Sequence, residues 1–341
     1  MHLRRALVAL LLSLPRAASA SAAAASGGLL LGVSGIQDSP QLLRIDPTSG
    51  AVAPVSANAS APFEQVSMGL GAADSASGTY FVIGLNASSS ASTVVGLSAA
   101  TGAVTSACAS PFAWTGAGES IVFAGAPRRQ LVVGGHDPAT GARLLGSLDP
   151  ASCAFARLAT LPDDLVSWPA DASAYSPATD ELVALFSADE NQTRTQVVSV
   201  SLATGRSRRW PAARGSACAG AETLSYDSAT GLIFAVGAEA AGGTRQLLAL
   251  DPRALSCSVV GAIGPAPGFS DLLAGLAALD AKARLLYFIS QSGGADDDAP
   301  FYLVATPLDG RGAANSTAAP LEGCTGAFAF SCPWQLAFLE E

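Results

Sequence analysis

The chain has 341 residues, of which 50% are hydrophobic, 13% charged and 6% aromatic, and its mean hydropathy is +0.38. So little charge and so much apolar material argue against disorder, and scarce Glu and Lys with no lasting heptad exclude a coiled coil. Lys and Arg total 18 against 27 Asp and Glu, a formal charge of −9 with pI near 4.7, so a basic nucleic-acid-binding surface is excluded.

Residues 1–25 read as a secretory signal peptide. Arg4 and Arg5 precede the apolar run Ala6 to Leu14, and Ala18-Ser19-Ala20 offers a small-x-small cleavage site. The run is too short to span a bilayer. Cleavage after Ala20 removes three Arg, leaving 15 basic and 27 acidic groups, a charge of −12. The expected location is therefore extracellular or a secretory lumen, with no membrane contact after cleavage.

Residues 26–341 read as one domain built from a repeat. Leu29 to Val33 opens it, and Leu42 to Asp46 follows. Then come Leu70–Asp74, Tyr80–Ile83 and Val94–Leu97; Ile121–Ala124, Leu131–Val133 and Leu144–Asp149; Ser173–Ser176, Leu182–Phe186 and Val197–Val200. Two further sets are Leu224–Asp227, Leu232–Val236 and Leu247–Asp251, and Leu276–Asp280, Leu285–Ile289 and Tyr302–Ala305. The third runs start at 42, 94, 144, 197, 247 and 302, steps of 52, 50, 53, 50 and 55. Turn chemistry separates the runs. Asp46-Pro47-Thr48-Ser49-Gly50 and Asp137-Pro138-Ala139-Thr140-Gly141 fix φ with Pro and supply positive φ with Gly, and Thr101-Gly102 and Thr204-Gly205 are shorter versions.

Three clear strands and a weaker fourth per unit, with no long helical periodicity, predict an all-β, six-bladed β-propeller. Leu336–Glu340 matches Leu276–Asp280 and supplies the first strand missing from the blade opened by Leu29. One blade is then completed by both chain termini, which leaves no free edge in the ring. A monomer is expected.

Six cysteines in an exported chain suggest three disulfides. Six Cys allow 15 pairings; repeat alignment favours Cys108 with Cys153, Cys218 with Cys257, and Cys324 with Cys332. Asn58, Asn86, Asn191 and Asn315 begin Asn-x-Ser/Thr sequons and are expected glycosylation sites.

The chemistry gathers at one repeat position, five residues before the end of each first strand. Around the ring it holds Gly69, Glu119, Asp171, Glu222, Gly275 and Gln335. Three acids in one register on consecutive blades repel unless a cation or shared proton compensates. Hard oxygen ligands suit Ca²⁺ or Mg²⁺, so Glu119, Asp171 and Glu222 are the candidate metal ligands, with a wide solvated funnel as the competing reading. Trp114, Trp168 and Trp334 approach first strands and, with Gln335, are candidates to wall a pocket. His136 is the only His after the signal, adjoins a turn and is expected at the surface, which leaves a Ser-His-Asp triad without material. Asp296-Asp297-Asp298 is a loop that could bind calcium, and Arg206, Arg208 and Arg209 form a basic patch expected to balance local acids.

Glu222-Thr-Leu-Ser-Tyr-Asp227-Ser-Ala-Thr-Gly231-Leu-Ile-Phe resembles the blade motif of the regucalcin/gluconolactonase lactonases. Strictosidine-synthase-like and paraoxonase-like proteins share that architecture. The resemblance implies a six-bladed propeller holding a divalent metal at this register and a metal-assisted lactonase or related hydrolase. It also implies an acid as general base, here Asp171 or Glu222.

Two classes of function follow. The main one is a secreted binding module with an acidic channel mouth, holding a small molecule, glycan or extracellular protein, because no complete catalytic constellation is visible. The alternative is a divalent-metal-dependent, lactonase-like hydrolase of a small organic substrate.

Overall fold

A computed structural model describes residues 28–34, 40–56, 63, 65–86, 91–112, 120–162, 165, 172–187, 195–211, 220–238, 245–263, 269–292, 300–309, 315–321, 324, 333 and 336–340. Among them, 24 strands form six four-stranded antiparallel sheets. Blade 1 combines β1 (Leu29–Ser34), β2 (Gln41–Ile45) and β3 (Val52–Pro54) with the C-terminal β24 (Ala337–Leu339). Blade 2 is β4 (Gln65–Asp74), β5 (Thr79–Asn86), β6 (Ala91–Ser98) and β7 (Val104–Ala109). Blade 3 is β8 (Ser120–Ala124), β9 (Gln130–His136), β10 (Arg143–Leu148) and β11 (Phe155–Thr160). Blade 4 is β12 (Ser173–Ser176), β13 (Glu181–Ser187), β14 (Thr195–Ser201) and β15 (Ser207–Arg209). Blade 5 is β16 (Ser225–Tyr226), β17 (Ile233–Ala238), β18 (Arg245–Asp251) and β19 (Ser256–Ala262). Blade 6 is β20 (Phe269–Asp280), β21 (Leu285–Ser292), β22 (Phe301–Pro307) and β23 (Thr317–Pro320). The expected six-bladed all-β propeller is the observed one.

The middle strands have no polar face, because each is covered on both sides. Successive side chains of a strand point to opposite faces. In β5, Tyr80 and Val82 pack into the cluster shared with blade 1, while Phe81 and Ile83 pack into the cluster shared with blade 3. Six such clusters lie between the six successive pairs of blades. Stacked sheets thus account for the high apolar content and the low charge.

The ring closes where β24 pairs with β1, Leu339 opposite Leu29, Phe338 opposite Leu30 and Ala337 opposite Leu31. This corrects the sequence register by one residue. Leu339 faces the start of the second strand as Asp280 faces Leu285, so Leu339 and not Glu340 is the counterpart of Asp280. Third strands shift likewise in two blades. Pairing to the second strands sets Leu145 and Leu303, not Leu144 and Tyr302, in the register of Val94.

Each outer edge carries a device that discourages pairing with another chain. Pro54 and Pro320 end β3 and β23, β15 carries Arg208 and Arg209, and β7, β11 and β19 are bulged against their partners. Arg208 also makes a two-pronged bond to Glu181 at 2.9 and 3.1 Å, so this part of the basic patch balances an acid as expected.

The hairpins between third and outer strands clip neighbouring blades. Cys153, in the hairpin of blade 3, forms the expected disulfide with Cys108 on the outer strand of blade 2, Cα atoms 5.2 Å apart. Cys257 and Cys324 are disulfide-bonded too; the expected pairings with Cys218 and Cys332 fall outside the described residues. Gly205 occupies the same turn position in blade 4 as Cys153 in blade 3. Its φ is +68°, and a Cβ there would lie 2.1 Å from the Leu158 carbonyl oxygen of blade 3. Gly78, in the first hairpin of blade 2, has φ +62° but open space around a Cβ. Gly78→Ala therefore meets only the left-handed backbone penalty, about 1–2 kcal/mol. Gly205→Ala adds an overpacking cost of about 1–3 kcal/mol between blades. Urea unfolding of the two variants should rank Gly205→Ala clearly less stable; equal loss would mean that the hairpin does not press on blade 3.

Candidate functional site at the propeller axis

The first-to-second hairpins surround one end of the axis. Blades 2 to 6 place one residue of each in the left-handed region: Gly78, Arg129, Asp180, Gly231 and Arg284. Three of these are not Gly, and each joins an ion pair to the preceding blade. Arg129 meets Asp74 at 3.5 Å, Arg128 binds Asp180, and Arg284 binds the fully buried Asp227. The Arg128 guanidinium holds the Asp180 carboxyl below the ordinary carboxylate range. The Tyr175 hydroxyl donates to Asp180 at 3.1 Å, and burial first, then this carboxylate, pushes the phenol up to about 12.

Inside this collar, a cavity of about 370 Å³ lies on the axis, walled by the inner strands of all six blades. Its wall has three tiers. The first holds Gly71, Ile121, Ser173, Leu224, Ala277 and Leu336; the second Ala72, Val122, Ala174, Ser225, Ala278 and Ala337; the third Ala73, Phe123, Tyr175, Tyr226, Leu279 and Phe338. Small residues fill the middle tier, which keeps the channel open. The aromatic rings act as wedges between blades: Phe123 stacks on Phe81 at 5.9 Å, and Phe338 on Tyr287 at 6.1 Å. Each inner strand is hydrogen-bonded on one side only, so its other edge turns backbone N–H and C=O groups to the axis. The cavity reaches Gly125, Ala126, Pro177 and Ser228, the end where inner strands finish; the acidic mouth expected from sequence is at the end where they begin.

Of the expected acids, only Glu222 is described. It precedes β16, its N–H donates to the Val236 carbonyl at 2.9 Å, and its Oε1 accepts from Arg245 Nη1 at 2.6 Å. Both side chains are partly buried, 32% and 12% exposed respectively, so the pair is screened less than a surface one. Glu119, Asp171, Trp114, Trp168, Trp334 and Gln335 lie outside the described residues, as do Asn58, Asn191 and Asp296 to Asp298. Asn315 is exposed, and Asn86 ends β5. Among the described residues, no three His, Cys, Asp or Glu side chains come close enough to share a cation. With Glu222 already bound by a guanidinium, the described donors do not make a divalent site.

Sequence reasoning missed Arg245. A signal was present: Arg143 and Arg245 hold the same repeat position in blades 3 and 5, opposite His136 and Ala238. Arg143 Nε donates to His136 Nε2 at 3.4 Å, so His136 is half-buried and paired rather than a free surface residue.

The fold defines the class of the protein, a six-bladed β-propeller closed by its own two ends. Solved propellers share it at low identity. TolB from Acinetobacter baumannii superposes with a TM-score of 0.59 at 11% identity, over 92% of this chain and 67% of that one. A chain of a nidogen/laminin complex gives 0.58 at 12%, over 92% and 98%. The periplasmic gluconolactonase PpgL of Pseudomonas aeruginosa gives 0.52 at 14%, over 92% and 99%. The resemblance to gluconolactonase-like proteins therefore holds at the level of the fold. No protein-family model matches the chain, and no curated protein matches it in sequence.

Burial first, then the Arg143 charge, lowers the His136 pKa below its ordinary value of 6.5. A His with a depressed folded-state pKa contributes stability that is present above the unfolded value and lost as pH falls through the folded one. Thermal midpoints should thus fall faster between pH 7 and pH 5 for the native chain than for His136→Gln. Identical slopes would show that His136 titrates as it does when unfolded.

Proposed function

We propose that this chain is an exported, disulfide-braced propeller that binds a ligand at its axis without turning it over. The observation that carries the reading is the cavity to which all six inner strands contribute, about 370 Å³, within the size range of small-molecule sites. Convergence of six segments on one space gives a ligand a preorganised wall. At the opposite mouth, the Glu222–Arg245 pair offers an acceptor and a donor fixed against each other, a recognition element rather than a free base. Export is supported by the leader-like residues 1–25 and by the Cys108–Cys153 disulfide, a bond that persists in oxidising compartments. The sequons at Asn58, Asn86, Asn191 and Asn315 fit the same route.

A second reading, a lactonase-like hydrolase assisted by Ca²⁺ or Mg²⁺, is favoured by the shared register of Glu119, Asp171 and Glu222 and by the fold likeness to a gluconolactonase.

Thermal-shift screening of small molecules and glycans, each with and without Ca²⁺, Mg²⁺, Mn²⁺ and Zn²⁺, separates the two. The binding reading expects hits that need no metal, and no lactone hydrolysis above buffer. Ligand at a hundredfold excess over its dissociation constant stabilises by about 2.7 kcal/mol, enough for a shift of several degrees. A rise of that size with metal alone, together with lactone hydrolysis that Glu222→Gln abolishes, would overturn the binding reading in favour of the hydrolase.

A further inference from the structure

We propose that the outer edge of blade 4 is a docking site for a sulfated polysaccharide, gripped by Arg206, Arg208 and Arg209. The site lies on the rim of the ring, away from the axis, and does not depend on the reading of the axial cavity. Three observations carry it.

The first is a local reversal of charge. The chain as a whole is acidic, yet no Asp or Glu lies between Glu190 and Glu222, and Arg206, Arg208 and Arg209 fall within four residues of that stretch. All three are exposed, as is Ser207 between them. Glu181, 12% exposed, takes a two-pronged bond from Arg208, whose own side chain stays 47% exposed. No described residue pairs with the Arg206 guanidinium. Three guanidinium groups thus share an edge with one carboxylate. At physiological ionic strength the screening length is about 8 Å, so the distant acids do not cancel this edge.

The second is a departure from the repeat. The Ser201 N–H donates to the Arg206 carbonyl at 3.0 Å, as Asp46, Ser98 and Asp149 do to Ala51, Ala103 and Ala154. The turn of blade 4 therefore has Ser where blades 1 and 3 have Asp, and Arg where blades 1 to 3 have Ala. Strand pairing places Arg208 at the position of Ala53, Ala156, Ser258 and Thr317 in blades 1, 3, 5 and 6. Small neutral residues satisfy the fold at these positions. The edge of β3 is equally short and is guarded without a charge, so protection against pairing does not require three Arg.

The third is the chemistry of the edge. Guanidinium is a planar, permanently charged fork that matches the paired oxygens of a sulfate. Side chains of Arg208 and Arg209 leave opposite faces of the strand, so the charges straddle a ridge along which an extended chain can lie. As the outermost strand, β15 also turns alternate backbone N–H groups outward, where they can donate to sulfate oxygens. The neighbouring aromatic residue, Trp210, is buried at 4% exposure. The edge therefore lacks both a stacking platform for nucleic-acid bases and the apolar centre of a protein interface.

Binding of the exported full chain to immobilised heparin, with dextran and poly-glutamate as comparison surfaces, tests the idea. Heparin should be bound at about 0.15 M salt and released at about 1 M, where the screening length falls to about 3 Å; dextran should not be bound, and poly-glutamate at least tenfold more weakly. The double variant Arg206→Ala, Arg209→Ala should lose at least tenfold in heparin affinity with an unchanged thermal midpoint, because other blades carry Ala there. Lys282→Gln, in the first hairpin of blade 6, should bind heparin as the native chain does. If the double variant does not fold, Arg206→Ala alone decides, with a loss of several-fold expected. No binding of heparin, or equal weakening by Lys282→Gln, would overturn the site. Poly-glutamate bound as tightly as heparin would overturn the occupant in favour of an acidic protein segment. A midpoint lowered by several degrees in Arg206→Ala would assign that side chain to the fold and overturn its role in docking.

Discussion

The structure depends on three residue pairs that join the two ends of the chain. Leu29 to Leu31 and Ala337 to Leu339 are separated by about 300 positions in sequence and complete one sheet. Five blades are made from consecutive strands and need only local hairpins. The sixth needs the longest-range contact in the molecule, and loop-closure entropy must be met before it forms. What offsets it is burial on both faces. Leu336 enters the cluster between blades 6 and 1, while Ala337 and Leu339 enter the cluster between blades 1 and 2. A ring closed in this way has no terminal blade with an exposed apolar face.

Closure also creates the site. An open stack of blades would expose its inner edges to solvent on a curved surface. Only when blade 1 is complete do six inner edges surround one space. The chemistry of that space follows from the geometry of a radial sheet. Side chains of an inner strand project toward neighbouring blades, so they serve as wedges, as Phe123 and Phe338 do. Backbone and small residues are left to face the axis. Charged groups are displaced to the hairpins at the rim, where Arg128, Arg129 and Arg284 clasp adjacent blades and hold the collar rigid. Arg129, Asp180 and Arg284 adopt a left-handed backbone that Gly takes more readily. Their cross-blade pairs explain why side chains are retained at those turns.

Much of this was legible in the sequence, and the failures have physical causes. The period was visible because every middle strand is buried on both faces, which writes a short apolar run into each unit. Cys108 and Cys153 could be paired because the repeat places the outer strand of one blade beside the outer hairpin of the next. The register slip at the C-terminus arose where the signal is weakest. Asp74, Asp227 and Asp280 mark the ends of first strands by capping the turn that follows, and the closing strand has no such turn. Matching Glu340 to Asp280 therefore followed charge, whereas the packing of Ala337 and Leu339 set the register. At the site, the sequence showed acids but not their partners. Arg245 is 23 residues from Glu222, and only the turn after the second strand, which starts the third strand at the end where the inner one begins, brings them together. The lining of the channel was illegible for a related reason. Which residues face the axis depends on the radial placement of strands, not on residue type.

The most direct test of the account is native-state hydrogen exchange at the closing pair. If ring closure underlies the fold and the site, the hydrogen-bonded amides of Leu29–Leu31 and Ala337–Leu339 should exchange only through global unfolding. Their opening free energy should then equal that of the β13 amides Leu182–Leu185 across the ring, and the two should fall in parallel with added denaturant. Closing-pair amides that exchange orders of magnitude faster than β13, with little dependence on denaturant, would contradict it. Blade 1 would then open while the other blades stay folded, and the ring would not depend on its closure.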